Sequence, residues 1–298
     1  MARPFSLSVA LVTRNRAASV RRCLESWRRQ TVSPDEIVVS DDSDDHLADE
    51  TARVAAAFGC KYIRGPRKGL YANRNHASLA CAGTHILSAD DDHTHPPDYV
   101  ATIVDLIAAD ANRVWILPER LPGDTSSPLV CPPELHRSGF GGPPRDPSRC
   151  AAIADGSTVY PRQIFDSGMR YDETYSFGGL WYLWGKLLAS RGWHITYSPR
   201  TFVWHHYRAD GIVPEEGRLD DVGKLRQQLL ATTYVQIVSA LWLDRSPVKL
   251  AWAAAYVLRR MVLPDSIVNF RVRTRLPLAG VVRATRLALR ARRTYVPA

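Results

Sequence analysis

Three adjacent carboxylates, Asp90, Asp91 and Asp92, follow a mostly apolar run in the stretch SADDDHTHPPDYV (88–100). Like charges at contact distance repel, so their juxtaposition calls for a positive partner. Residues two apart on an extended segment share a side. Asp90 and Asp92 can therefore converge on one cation while Asp91 faces away. Hard oxygen donors suit Mg2+ or Mn2+, ions that leave coordination positions for substrate phosphates. Solvation, or capping of the helix that begins near Pro97, is the alternative use of these acids.

Other polar clusters carry side chains that can meet a phosphate, a base or a ribose. TRNR (13–16) and NRN (73–75) supply Arg14, Arg16 and Arg74, whose guanidiniums can pair bidentately with phosphate or stack on a base. DDSDD (41–45) can accept hydrogen bonds from a ribose through Asp41 or Asp42, or cap the following helix through Ser43 or Asp45. His205 and His206 close the run TFVWHH. An imidazole arriving beside two carboxylates makes a mixed nitrogen and oxygen site that suits Mn2+ better than Ca2+, and His205 is preferred to His206. Trp181, Tyr182 and Trp184 form either a stacking wall for a sugar or the core face of a helix.

These clusters need elements to position them. SLSVALVT (6–13) reads as a strand, and AASVRRCLESWRRQ places Val20, Leu24 and Trp27 at helical spacing behind it. A strand at 36–40, a helix in LADETARVAAAF and a short strand in KYIRG repeat the alternation. LYANRNHASLACAG then reads as a helix closed by Gly83, and THILSA as the strand entering the acids. Such alternation predicts a mostly parallel sheet with helices on its faces, in which ligands bind outside the carboxyl ends of the strands. The clusters at 13–16, 41–45 and 90–93 all fall at that edge. A helix follows Pro97 and a strand lies in RVWIL. The stretch 118–150 holds eight of the 20 prolines and reads as a long loop. GLWYLWGKLLASRG is a helix stopped at Gly192, WHITYS and TFVWHH are strands, and the chain beyond Pro214 is helical.

The hydrophobic content of 45% over 298 residues supports a real core. No apolar stretch reaches the ~18 residues of a membrane span. The N-terminus MARPFSLSVALVTRNR shows no basic region followed by a small-residue cleavage site, and a cytoplasmic protein is expected. The five cysteines include no CxxC pair, which argues against a disulfide framework or a cysteine-rich zinc site and for reduced, mostly buried thiols. The net charge of +9 is concentrated at the end of the chain, because no acid follows Asp265 whereas Arg271, Arg273, Arg275, Arg283, Arg286, Arg290, Arg292 and Arg293 do. These arginines are interleaved with Leu, Val and Ala rather than with stacking aromatics. That pattern suits an anionic membrane surface, with peripheral attachment, better than nucleic acid, and no nucleic-acid partner is expected.

Taken in order, LVTRNR, IVVSDDSDD, GLYANRNHASLACAGTHILSADDD, GMRYDE and PRTFVWHH resemble the inverting family 2 glycosyltransferases of the GT-A fold, over about Leu7 to His205. The resemblance implies a catalytic domain over 1–212, with a nucleotide-sugar half (1–117) and an acceptor half (118–212), followed by a helical basic extension over 213–298. It implies that Thr13, Arg14, Asn15, Asp41 and Arg74 hold the nucleotide, with Arg16, Asp42 and Asn75 beside them. Asp90 and Asp91 lie near the ribose and phosphates, and Asp92, with Asp90 and His205, holds Mn2+ or Mg2+. The partners implied are a nucleotide-diphosphate sugar donor and a hydroxyl-bearing acceptor: a glycan, glycolipid or small molecule. The implied activity is sugar transfer with inversion, in surface polysaccharide, glycolipid or natural-product assembly.

One feature departs from the family. Its usual Glu-Asp, the source of the catalytic base, follows a Gly-Gly; here FGGLWYLWGK keeps the glycines but has Leu180 and Trp181 in the acidic places. Neither side chain accepts a proton. Three readings are open. Asp172 and Glu173, just upstream, or Asp155 supply the base; the acceptor is already ionised; or the protein binds nucleotide sugar without transferring it.

Overall fold

The computed structural model describes residues 4–122, 129–130, 134–142, 144–206, 221–266 and 272–296. Its elements run β1 (Leu7–Thr13), α1 (Ala17–Arg28), β2 (Glu36–Asp41), α2 (Asp45–Ala57), β3 (Lys61–Arg64), α3 (Leu70–Ala80) and β4 (His85–Asp90). There follow β5 (His93–Thr94), α4 (Tyr99–Ala109), β6 (Val114–Ile116), β7 (Glu119–Arg120), β8 (Glu134–Leu135), β9 (Gly141–Gly142) and β10 (Ser157–Pro161). The remaining elements are α5 (Gln163–Asp166), α6 (Leu180–Ser190), β11 (Ile195–Tyr197), β12 (Val203–His205), α7 (Asp221–Val238), a π-helical turn (Ser239–Leu243), α8 (Pro247–Val262), α9 (Leu278–Arg290) and α10 (Arg292–Tyr295).

A seven-stranded sheet in the order β11-β6-β10-β4-β1-β2-β3 forms the centre. Its strands are parallel except β10, which runs against both neighbours. β1 is buried along its whole length, as expected of a strand covered on both faces. Its alternation divides the core: Leu7, Val9 and Leu11 meet α1, α2 and α4, whereas Ala10 and Val12 meet the layer that contains α3, α6, α7 and α9. The C-terminal helices thus share a core with the sheet. Register aligns the strand ends, with Thr13 opposite Asp41 and Val12 opposite Asp90.

Several expectations change in detail. The α3 helix stops at Ala80, where Cys81 turns extended, rather than at Gly83. Gly83 instead lies against β1, where a Cβ would stand 2.6 Å from Ser8 Oγ. The stretch 118–150 is not wholly loop, since it contains β7, β8 and β9. β12 lies outside the main sheet, in a three-stranded sheet ordered β5-β12-β7. Trp184 and Tyr182 are core residues, with Trp184 stacked at 4.7 Å on Tyr171, and half-buried Trp181 packs against the same cluster and stacks on Tyr182, so the three form the core face of a helix rather than a stacking wall. Cys23, Cys81 and Cys150 are buried free thiols and Cys60 is half-buried; Cys131, the boundary at 212 and Arg271 lie outside the described residues. No described helix is long and apolar enough to cross a membrane.

Trp184 is 1% exposed and among the largest fully buried side chains. Trp184→Ala should lower unfolding stability by about 3–5 kcal/mol, the usual cost of an aromatic cavity, measured as a reduced denaturant midpoint with an unchanged slope.

Candidate active site

The carboxyl ends of β1, β2 and β4 frame a cavity of about 210 Å3, lined by Thr13, Arg14, Arg16, Asp42, Asn73 and Asp90, with Ser176 and Phe177 opposite. The three central acids have different partners. Asp90 accepts a bidentate pair from Arg74 Nη2, at 2.8 and 3.0 Å. Arg74 is 2% exposed, also donates to Ser88 Oγ at 2.8 Å, and turns its Nε toward Asp155 Oδ1 at 3.5 Å. Asp91 is fully buried, accepts from Thr13 Oγ1 at 2.5 Å, and meets Arg16 Nη2 at 2.6 Å. Burial pushes its carboxyl up, against the pull of Arg16. Arg16 Nη1 also reaches Asp92 Oδ2 at 3.1 Å.

Asp92 belongs to a second group. Antiparallel pairing of β5 with β12 places His205 opposite His93, and one ligand atom from each of Asp92, His93 and His205 lies within 4.8 Å of the others. The surroundings select the imidazole tautomers. His93 Nδ1 lies 3.2 Å from Gly156 O, an acceptor only, so that nitrogen carries the proton. Its Nε2 is buried without a hydrogen-bond partner, 4.0 Å from Asp92 Oδ1. His205 Nδ1 lies 2.7 Å from Glu119 Oε2, and its Nε2 lies 3.8 Å from Asp92 Oδ1. Each ring thus turns an Nε2 toward one carboxylate while a carbonyl or carboxylate holds the other nitrogen, the arrangement by which proteins orient metal-binding histidines. Burial opposes a charge on His205, but hydrogen bonds to Asp92 and Glu119 outweigh it and raise the imidazole to about 10. Burial likewise penalises the Asp92 anion, yet His205, His93 and Arg16 hold its carboxyl well below the usual range. The two carboxylates demand positive charge between them. A borderline divalent ion such as Mn2+ fits this donor set of two imidazoles and one carboxylate.

The arrangement differs from the sequence expectation in identifiable ways. Asp90 is not in the Asp92 group: Arg74 occupies its carboxylate instead. His93, which adjoins the acids in the sequence, joins the group because β5 pairs with β12, and Glu119 enters behind His205. Asn75 turns away from the cleft, donating to Tyr171 O at 3.0 Å and Glu173 Oε1 at 2.7 Å. Asn15, held at φ 57°, ties the β1 end to the start of α2 by exchanging hydrogen bonds with Asp44. Asp41 is buried and accepts from Ser43 N and Tyr62 Oη. Asp42 accepts from Arg67 N at 2.8 Å. Half-exposed Arg14 stands 3.6 Å from Asp44 at the rim.

The candidate bases separate as well. Asp172 accepts from the hydroxyls of Tyr234 and Tyr295 and lines a different cavity, between α6 and the C-terminal helices, together with Glu173. Asp155 lies beside Arg74 and Asp90, with its side chain 20% exposed. Burial pushes its carboxyl up to about 6, Arg74 opposing and Asp90 and Glu119 adding. Next to it Gly156, at φ +81°, passes so close to Asp90 that a Cβ would stand 2.4 Å from Oδ2. Leu180, at the usual acid position, is fully buried.

Residues 8–128, the part of the chain that contributes β1, β2, β4 and the acids, match the family model for "Glycosyl transferase family 2". EpsH of Bacillus subtilis (strain 168), a protein assigned as a glycosyltransferase rather than proven to be one, is 34% identical over 98 residues, or 32% of this chain and 28% of EpsH. The chain therefore spans well under two thirds of that relative's length. Among solved structures it is similar to GalNAc-T7 with UDP, GalNAc and Mn2+ at 19% identity and TM-score 0.63, covering 81% of this chain and 49% of that one. The mannosyltransferase PcManGT from Pyrobaculum calidifontis, in complex with GDP-Man and Mn2+, is 17% identical with TM-score 0.56, covering 98% and 82%. S. aureus TarS 1-349 with UDP-GlcNAc is 15% identical with TM-score 0.57, covering 96% and 81%. The fold is the GT-A type.

Calorimetric titration with Mn2+ should show a single site that Asp92→Ala abolishes. Glu119→Gln should weaken that site by about 10–100-fold by releasing the His205 ring. Unchanged affinity in both variants would place the ion elsewhere.

Proposed function

We propose that the chain is a metal-dependent inverting glycosyltransferase, moving a sugar from a nucleoside-diphosphate donor to an acceptor hydroxyl. The observation that carries the reading is the Asp92, His93 and His205 group standing next to the Arg16 and Asp90 cleft at the sheet edge. Mn2+ and nucleotide sugars in the similar structures support it. Surface polysaccharide, glycolipid or natural-product assembly is the setting that fits, and association of the basic C-terminal region with an anionic membrane belongs to the same reading.

The residues divide the work by charge. Asp90, held by Arg74, and Thr13 face the donor from the strand ends, and the half-exposed Arg14 guanidinium, with the partly buried Arg16 that also spans Asp91 and Asp92, meets its phosphates. A divalent cation held by Asp92, His93 and His205 would stabilise the negative charge that grows on the leaving diphosphate. Asp155 takes the proton from the acceptor hydroxyl as that oxygen attacks the anomeric carbon from the face opposite the diphosphate. Asp172 and Glu173 are poorer bases, because two tyrosine hydroxyls and Asn75 engage them beside another cavity.

Incubation with a panel of nucleotide sugars, Mn2+ and candidate acceptors should give a glycoside of inverted anomeric configuration. Indifference to every diphosphate nucleotide would overturn the proposal, and saturable binding with no turnover would return the silent binding protein. Asp155→Asn should lower kcat by about 10²–10⁴ while donor affinity is kept. The acid limb of kcat/KM should fall near pH 6, where Asp155 ionises. The same raised carboxyl favours the folded state below its ordinary 3.8, and that advantage disappears as pH rises through about 6. A profile flat through that range in wild type would reject Asp155.

A further inference from the structure

α8 is inside out. Around its outward arc Val248, Trp252, Leu258 and Val262 are 65%, 43%, 63% and 60% exposed, with Ala251, Ala254 and Ala255 between them and Arg259 the one charged residue. Its inward side buries Ala253, Val257 and Arg260. Arg260 is accommodated there by Gln236 Oε1 at 3.0 Å, Ser138 O at 2.6 Å and Asp265 Oδ2 at 3.2 Å. A contiguous apolar helix face in water signals an interaction surface. The 16 residues of α8 span ~24 Å, too short to cross a bilayer but suited to lying along one.

A cavity of about 720 Å3 opens beside this face, and Lys249 and Trp252 of α8 line it together with Arg137, Arg145 and Lys186. Of its two acids, Asp244 is paired with Lys186 and Lys249 at 2.7 and 3.0 Å, and Glu134 accepts from Ala151 N at 2.9 Å. Among the described residues neither Arg137 nor Arg145 meets a carboxylate. The Arg137 guanidinium lies over the Trp252 ring, 5.0 Å from its centroid, which joins the cationic cavity to the apolar stripe. An indole at such a boundary is placed as interfacial tryptophans are.

We propose that this surface docks on an anionic phospholipid bilayer, with the outward face of α8 sunk among the acyl chains near the headgroups and a headgroup phosphate seated in the Arg137, Arg145 and Lys249 cavity. Charge complementarity favours lipid over a second copy of the chain. The cavity lining carries four cations, Arg137, Arg145, Lys186 and Lys249, against the two acids Glu134 and Asp244, so two copies brought together on this side repel, whereas an anionic leaflet attracts. The surface differs from the basic tail singled out by the sequence and does not depend on the transferase reading.

The full chain should co-sediment with phosphatidylcholine vesicles that contain phosphatidylglycerol and remain in the supernatant with phosphatidylcholine alone. The double variant Leu258→Glu and Val262→Glu should lose at least about tenfold in vesicle affinity, with an unchanged circular dichroism spectrum and unchanged nucleotide binding. Arg137→Ala should weaken it about fivefold, the usual worth of one basic residue at an anionic surface. Three results would overturn the proposal: no retention on anionic vesicles; equal binding by the glutamate variant; or self-association by analytical ultracentrifugation that the glutamate variant abolishes, which would make the face a dimer interface. Glycerol phosphate in solution that competes as strongly as vesicles would reassign the cavity to a soluble phosphate and also overturn it.

Discussion

The site rests on the neutralisation of carboxylates that converge where strands end. Asp90, Asp91, Asp92, Asp155 and Glu119 come together in a region with little access to water, and their mutual repulsion is answered by Arg74, Arg16 and His205. Removing a partner from a buried ion pair is far more costly than never burying the pair. Each cation therefore fixes the direction of the acids it touches. Arg74 aims Asp90, Arg16 spans Asp91 and Asp92, and His205 links Asp92 to Glu119. The side chain of Asp92 that results is an anion surrounded by donors and two ring nitrogens.

That charge balance is possible because of the sheet. Parallel strands end at one edge, and the registers of β1 with β2 and of β1 with β4 bring Thr13, Asp41 and Asp90 into line. β10, running against its neighbours, delivers Asp155 and Gly156 to the same edge from its beginning rather than its end. The three-stranded sheet of β5, β7 and β12 closes the remaining side and carries His93, Glu119 and His205 on adjacent strands. A glycine at 156 is required there, because its positive φ and its closeness to Asp90 leave no room for a side chain.

The C-terminal helices contribute to the core as much as to the surface. Ala231, Tyr234, Val235, Ala284, Ala288 and Tyr295 lie in the same apolar cluster as β-strand residues. Through Tyr234 and Tyr295 these helices also occupy Asp172, withdrawing it from the cleft. With Leu180 buried where an acid was expected, the carboxylates around the paired glycines are distributed differently from the expected pattern, and Asp155 lies 3.5 Å from Arg74 beside Asp90.

Much of the fold was legible in the sequence because it follows from local pattern. The apolar runs of β1, β2 and β4, the helical spacing of Val20, Leu24 and Trp27, and the place of the polar clusters after strands are short-range properties that a linear chain displays. Residue type also identified Asp92 and His205 as possible partners, since a row of acids needs a cation and histidine is a common ligand. Pairing across distance was not legible. The inclusion of His93 depends on β5 meeting β12, the diversion of Asp90 on Arg74 being buried between it and Asp155, and the withdrawal of Asp172 on tyrosines 62 and 123 positions downstream. The outward apolar face of α8 was likewise invisible, because its period is the same whether that side faces a core or water. Periodicity and chemistry are carried by neighbours along the chain, whereas the identity of a carboxylate's partner is decided by which elements pack together.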